Sequence, residues 1–251
     1  MVKSSSLLLV LMYHRVYGRG KHENPSDLFS RHLAFIKERF PVKLPGEPLE
    51  QGKLNVCPTF DDGYCDFYFN VFPLLKELSL KAVLALPVKY IAESTDLSPA
   101  VRMDFRYVQA MDEGFYQKRV PFCTWQEIRE MVGSGLIEVA SHSFSHVDCS
   151  KSSVNLQQEL VCSKQIIEDN IDRKVETFVY PFGKTNRTLE HTVARHYRYG
   201  IRIGGACNMG WHQLPRSLCR VSGDRMEKPN SPFTFKQLWK PILKGYLRRF
   251  I

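Results

Sequence analysis

The chain has 251 residues, 43% of them hydrophobic, enough for the core of one large domain or two small ones. A net charge of +9 suits it to an anionic partner or surface, but no helix-turn-helix, zinc finger or aromatic–basic platform accompanies that charge, so nucleic acid is set aside. Seven cysteines, an odd count with no regular spacing and no CxxC pair, exclude a zinc ribbon and argue against a disulfide framework, and they read as inert thiols of a reducing compartment.

The first apolar run, residues 7–14, is too short to span a bilayer and lacks the cleavage site of a signal peptide. It reads as a buried strand with His14 at its carboxyl end, and a cytoplasmic location follows by default. A polar loop over 18–25 leads to a helix capped by Asp27, with Phe29, Leu33, Ile36 and Phe40 on its apolar face. After a Pro- and Gly-rich loop, the run 56–60 ends in Thr59-Phe60-Asp61-Asp62-Gly63-Tyr64. Neighbours in a strand point to opposite sides, so two adjacent carboxylates reach one site only where the strand ends and turns. Gly63 permits that turn.

Residues 67–80 read as a helix that Pro73 kinks or opens, and 82–86 as a short buried strand. The stretch 89–121 lacks periodicity, carries Arg102, Arg106, Tyr107, Phe115 and Tyr116, and reads as an inserted lid or substrate-binding segment. Thr124 and Glu127 form a capping box that opens a helix ending at Ser134-Gly135. A strand over 136–140 then delivers Ser141-His142-Ser143-Phe144-Ser145-His146. Two imidazoles at this spacing, in one helical turn or a tight loop, could face one cation. With a carboxylate and open positions they would make a catalytic rather than a structural metal site.

A long helix over 152–170, a strand over 175–180 ending in Tyr180-Pro181-Phe182-Gly183, a helix over 186–197 and strands at 200–203 and 218–221 complete the alternation. Strands alternating with helices imply a parallel sheet, and the polar motifs all fall at carboxyl ends of strands. The last stretch, 231–251, is basic and amphipathic, with Leu238, Trp239, Ile242, Leu243, Tyr246, Leu247 and Phe250 on one side and Lys236, Lys240, Lys244, Arg248 and Arg249 mostly on the other. It reads as a helix packed on the rest of the domain, 1–230. The alternative is a helix lying in a membrane surface, which would make the chain a peripheral protein of the inner face.

Thr59–Gly63, His142–His146 and Pro181–Gly183 together resemble, in order, the T-F-D-D-G, H-[ST]-x-x-H and P-[YF]-G motifs of polysaccharide deacetylases with a NodB-like domain, carbohydrate esterase family 4. The resemblance covers roughly residues 7–220. It implies an α/β fold, a distorted, incomplete (β/α)7 barrel. It also implies a hydrolase removing N-acetyl groups from an amino-sugar polysaccharide or lipid-linked saccharide. Asp62, His142 and His146 would hold a divalent ion, with zinc expected first although cobalt, manganese and nickel suit the same donors. By the same resemblance Asp61 is the base, and the backbone N–H of Phe182, aimed by Pro181, faces the oxyanion.

The acid is assigned to His14 because Leu11-Met12-Tyr13-His14-Arg15-Val16 is similar to the first strand of a permuted subset of biofilm-polysaccharide deacetylases, with His212 in reserve. Tyr64, Asn186 and His212 are candidate substrate contacts. One departure stands out. Many members carry an Arg two residues before the Pro of the third motif to orient the base, and here that position is Val179. The alternatives are a hydrolase of another C–N bond, such as a formyl group or amide, and a catalytically inactive carbohydrate-binding barrel.

Overall fold

The computed structural model describes residues 6–18 and 20–248. Its strands are β1 (Leu7–Tyr13), β2 (Leu54–Phe60), β3 (Ala82–Leu86), β4 (Ile137–Ser141), β5 (Thr177–Val179), β6 (Tyr199–Ile203) and β7 (Leu218–Ser222). They are hydrogen-bonded in sequence order, all in parallel, and β7 returns to β1 to close a barrel. The parallel sheet expected from the strand–helix alternation is therefore present, as is the seven-stranded α/β barrel that the family resemblance implied, here closed rather than incomplete. The helices are α1 (Ser26–Arg39), α2 (Phe72–Leu78), α3 (Pro99–Met103), α4 (Tyr116–Arg119), α5 (Trp125–Gly133), α6 (Ser163–Ile171), α7 (Arg187–Val193) and α8 (Phe235–Leu247).

The strands are apolar on both faces because both faces are covered. Alternate residues separate two cores. Leu8, Val10, Cys57, Val83, Ala85, Ala140 and Val179 fill the barrel interior. Leu9, Leu11, Tyr13, Val56, Phe60 and Leu84 point outward and pack against Phe29, Leu33, Leu75, Ile128 and Ile167 of the surrounding helices. Side chains as small as Ala85 and Ala140 suit the narrow interior of a small barrel. Each large apolar side chain so buried contributes about 1.5–3 kcal/mol.

Helix ends differ from the sequence expectations where local chemistry intervenes. Asp27 lies in the first turn of α1 rather than at its cap, which Pro25 occupies. The expected helix over 67–80 opens as a wide, π-type turn at Phe67–Val71, and Pro73 then sits in the first turn of α2, where its missing N–H costs nothing. The helix expected from 152 begins later, with a similar wide turn at Gln157–Cys162 leading into α6. Thr124 and Glu127 do form a reciprocal capping box on α5. Arg249 and Phe250 of the tail lie outside the described residues.

Candidate active site

Register assembles the site. Tyr13 pairs with Phe60 and Met12 with Ser222, so His14, Asp61 and Asp224 emerge side by side from β1, β2 and β7. One further ladder bond pins each exit: Asp61 N–H to Tyr13 O at 2.9 Å, His142 N–H to Leu86 O at 2.9 Å, and Gly223 N–H to Met12 O at 2.8 Å. Asp61 continues the inward parity of Cys57 and Thr59 and so faces the barrel mouth. Asp62 should face away, but its left-handed backbone (φ 69°) turns it back toward the same site. Gly63 (φ 66°) completes the turn, and any Cβ there would meet Leu86 at 2.6 Å.

The three candidate metal ligands converge. Asp62 Oδ1 lies 3.3 Å from His146 Nε2 and 3.7 Å from His142 Nε2. His142 Nδ1 is 2.7 Å from the carbonyl of Val179. A carbonyl only accepts, so Nδ1 carries the proton and Nε2 presents its lone pair to the site. Burial, aided by the neighbouring His146, lowers the His142 pKa to about 4 against the pull of Asp61 and Asp62, which keeps the ring neutral. Asp62 Oδ2 accepts from Tyr107 Oη at 2.9 Å, while Oδ1, though buried, has no hydrogen-bond partner. A buried carboxylate oxygen left orphaned between two imidazole nitrogens suits a divalent cation. His14, His22 and Asp224 also bring three donor atoms together. There, however, Asp224 already accepts from the ring and backbone of His14.

The His142–His146 segment is a tight loop, the second of the two geometries open from sequence. Ser143 (φ 67°) and His146 (φ 55°) adopt strained left-handed backbone. Buried Glu159 holds it, accepting from Phe144 N–H and Ser145 N–H at 2.9 Å each and from Ser145 Oγ at 2.6 Å. Beside it, Pro181 is buried and Phe182 (φ 58°) tops the next turn, its ring 4.7 Å from that of His146.

Asp61 is gripped by Arg220 of β7, with Nη1–Oδ1 at 2.5 Å and Nη2–Oδ2 at 2.8 Å, and Arg220 also donates to Thr59 at 3.1 Å. Burial alone would raise the Asp61 pKa. The adjacent guanidinium overrides it, with help from His142 and His14, and holds the group well below the usual carboxylate range. The Arg absent at Val179 is thus replaced by one from another strand. A lone Arg inside an apolar strand was the available signal, since a buried guanidinium requires a partner. Asp61 Oδ2 lies 3.9 Å from Nε2 of His14 and from Nε2 of His142. His14 Nδ1 is 2.6 Å from Asp224 Oδ2. Burial pushes the His14 pKa down, but that hydrogen bond and the charges of Asp224, Asp61 and Asp62 outweigh it and raise the pKa to about 9.

The remaining candidates fall elsewhere. His212 is on a segment tied to the amino ends of the strands: Asn208 pairs with Leu8, Leu214 N–H donates to Arg198 O, and Trp211 donates to Glu47 O. That is the opposite end of the barrel from His14. Tyr64 is buried, stacked on Phe122 in a cluster with Tyr90 and Ala110, and presents no face to a sugar. Asn186 caps α7, accepting from Leu189 N–H, and its amide donates to Ser150 O. The stretch 89–121 supplies Tyr107 directly to the site. Tyr107 also stacks on His22, and the two rings share a cavity of about 510 Å³ with Lys21, Phe105, Arg106 and Val108. Arg102 is structural: it is buried, paired with Glu127, and donates to the carbonyls of Val120 and Phe122.

Fold and site together define a closed parallel α/β barrel that groups Asp62, His142 and His146 at its mouth, as donors that could hold a metal ion, beside two carboxylate–imidazole pairs. The polysaccharide deacetylase profile matches residues 50–200, and the chain belongs to that family. It is 25% identical over 204 residues to YxkH of Bacillus subtilis strain 168, a match covering 77% of this chain and 63% of that protein. Over 100 residues it is 36% identical to the poly-β-1,6-N-acetyl-D-glucosamine N-deacetylase of Escherichia coli K12, covering 40% of this chain and 13% of that one. This chain therefore spans less than two thirds of either relative. Among solved structures, the Streptococcus pyogenes deacetylase PplD superimposes with a TM-score of 0.70 at 21% identity, covering 94% of this chain and 98% of that one. IcaB from Ammonifex degensii gives 0.66 at 21% identity, with 92% and 95% covered. These likenesses show the shared fold.

Proposed function

We propose that the protein removes N-acetyl groups from an amino-sugar glycan or lipid-linked saccharide by hydrolysis of the amide. The observation that carries this reading is the orphaned Asp62 Oδ1 between the Nε2 atoms of His142 and His146, with Asp61 and His14 on the same rim. Membership of the polysaccharide deacetylase family and the N-deacetylase relative support the acetamide as the bond cleaved.

Asp62, His142 and His146 would hold the divalent ion, zinc in the first instance, which when bound acidifies a water and polarises the acetyl carbonyl. Asp61 then needs little basicity, which suits a carboxylate that Arg220 keeps ionised. Its Oδ2, on the site side, takes the proton of the attacking water. The backbone N–H of Phe182 would donate to the oxyanion. His14, held protonated by Asp224, points Nε2 toward Asp61 and gives its proton to the departing amine. A base and an acid 3.9 Å apart flank one small reacting centre. Tyr107 and His22 would line the path of the adjoining sugar.

Acetate release from N-acetylglucosamine oligomers by zinc-loaded wild type, beside Asp61→Asn and His14→Ala, tests this. Loss of about 10²–10⁴-fold in kcat is expected in each variant. Full turnover in the Asp61 variant removes that residue as base. Formate or ammonia in place of acetate identifies a different C–N bond, and no turnover by wild type on any of them leaves a binding barrel.

A further inference from the structure

Helix α8 is two-sided in an unusual way. It packs on the barrel through Leu238 and Ile242 and through Gly245, where any Cβ would run into the carbonyl of Cys207. Cys207 N–H donates to Pro241 O at 2.9 Å, and Lys244 Nζ donates to Gly204 O at 2.7 Å, so the helix is firmly seated. Yet Phe235, Trp239, Leu243 and Leu247 remain 44–85% exposed. They recur every fourth residue and so form one ridge along the helix. Lys236 and Lys240 each follow by one position and are exposed about 100° further round, while Lys244 and Arg248, next in that row, turn back to the carbonyls of Gly204 and Ser217. Residues 228–251 contain no Asp or Glu.

We propose that this face of α8 docks on an anionic lipid bilayer, lying in the plane of the headgroups with the apolar ridge sunk into them. Charge complementarity selects the occupant. An apolar strip walled by cations and free of carboxylates matches the boundary between acyl chains and acidic headgroups. A second copy of this chain would bring like charges together along the whole contact. Trp239, with Lys240 Nζ 5.5 Å from the centre of its ring, places an amphipathic aromatic where such rings settle. No helix among the described residues is long and apolar enough to cross a membrane, so the contact is peripheral. Gln237, in the first turn of α8, shares a cavity of about 170 Å³ with Asp224, so the helix starts beside the catalytic end of the barrel. A docked enzyme would work at the level of the lipid surface.

The test is sedimentation of the full-length protein with vesicles of phosphatidylcholine alone or mixed with phosphatidylglycerol, without substrate. Wild type is expected to pellet with the mixed vesicles only, and less so as salt is raised. Trp239→Ser with Leu243→Ser is expected to remain in the supernatant. Lys236→Glu with Lys240→Glu is expected to bind at least tenfold more weakly, about fivefold being lost per cation removed. All four side chains are at the surface, so unchanged melting temperatures show that the fold is intact. Failure of wild type to pellet overturns the proposal, as does binding that either double variant leaves unchanged. A dimer in light scattering that Trp239→Ser with Leu243→Ser dissolves gives the face to a second copy and also overturns it. None of these readouts involves acetate release, so the deacetylase reading stands or falls separately.

Discussion

Asp61 and Asp62 are neighbours of the same chemistry with different surroundings. Asp61 has both oxygens on Arg220, while Asp62 has one oxygen on Tyr107 and the other open between two imidazoles. The proposed division into base and ligand follows from those contacts, which adjacency in sequence could not supply. His14 shows the same dependence. Its pKa of about 9 comes from Asp224, against burial, which acts the other way. As the proposed acid it must be protonated, so kcat is expected to fall as pH rises through about 9. In Asp224→Asn only the charges of Asp61 and Asp62 are left to oppose burial, and the alkaline limb should move to lower pH. A limb that stays near 9 in a pH–rate profile would belong to another group. The linked stability has the matching sign. A histidine raised above 6.5 stabilises the fold fully below that pH, and the contribution is lost as pH rises through about 9.

At the level of elements, the chemistry sits one to five residues past the ends of β1, β2, β4, β5 and β7. These exits were legible because an apolar run that stops at Asp-Asp-Gly, at paired His or at Pro-Phe-Gly has a visible boundary. What was not legible is how the exits bend. Asp62, Ser143, His146 and Phe182 all hold positive φ, at about 1–3 kcal/mol each, and only surrounding contacts such as those of Glu159 maintain that. Gly183 gives a direct check. At φ 64° a Cβ there would lie 2.6 Å from Ile203 Cβ and 2.8 Å from its backbone N. Gly183→Ala should therefore cost about 1–3 kcal/mol and, by shifting Phe182, lower kcat. Gly135→Ala, at φ 74° with nothing within 4 Å, should cost stability but leave kcat alone. Thermal melts beside acetate assays separate the two.

On the scale of the whole molecule, the site is built from segments that meet only when β7 closes against β1. That closure brings Arg220 to Asp61 and Asp224 to His14. Since Asp62, His142 and His146 come together only in the folded chain, zinc bound there should stabilise the fold by about 3–4 kcal/mol at a hundred- to thousand-fold excess over Kd. Calorimetry should show the wild-type melting temperature rising by several degrees with zinc and falling with a chelator, and Asp62→Asn responding to neither. An equal response in that variant would place the ion elsewhere.

The sequence alone determined the elements and the donor types. Apolar runs set the strands, their alternation with amphipathic stretches set a parallel α/β sheet, the motif resemblance implied a barrel, and the motifs marked Asp61, Asp62, His142 and His146. These are local properties, carried by residues close together along the chain. Tertiary structure decided which Arg holds Asp61, which Asp holds His14, that Tyr107 reaches Asp62, and that His212 and Tyr64 lie away from the site. Each of those facts is a contact between residues 45 to 210 positions apart, or the lack of one. Such contacts depend on strand register and barrel closure, which no single stretch of chain contains.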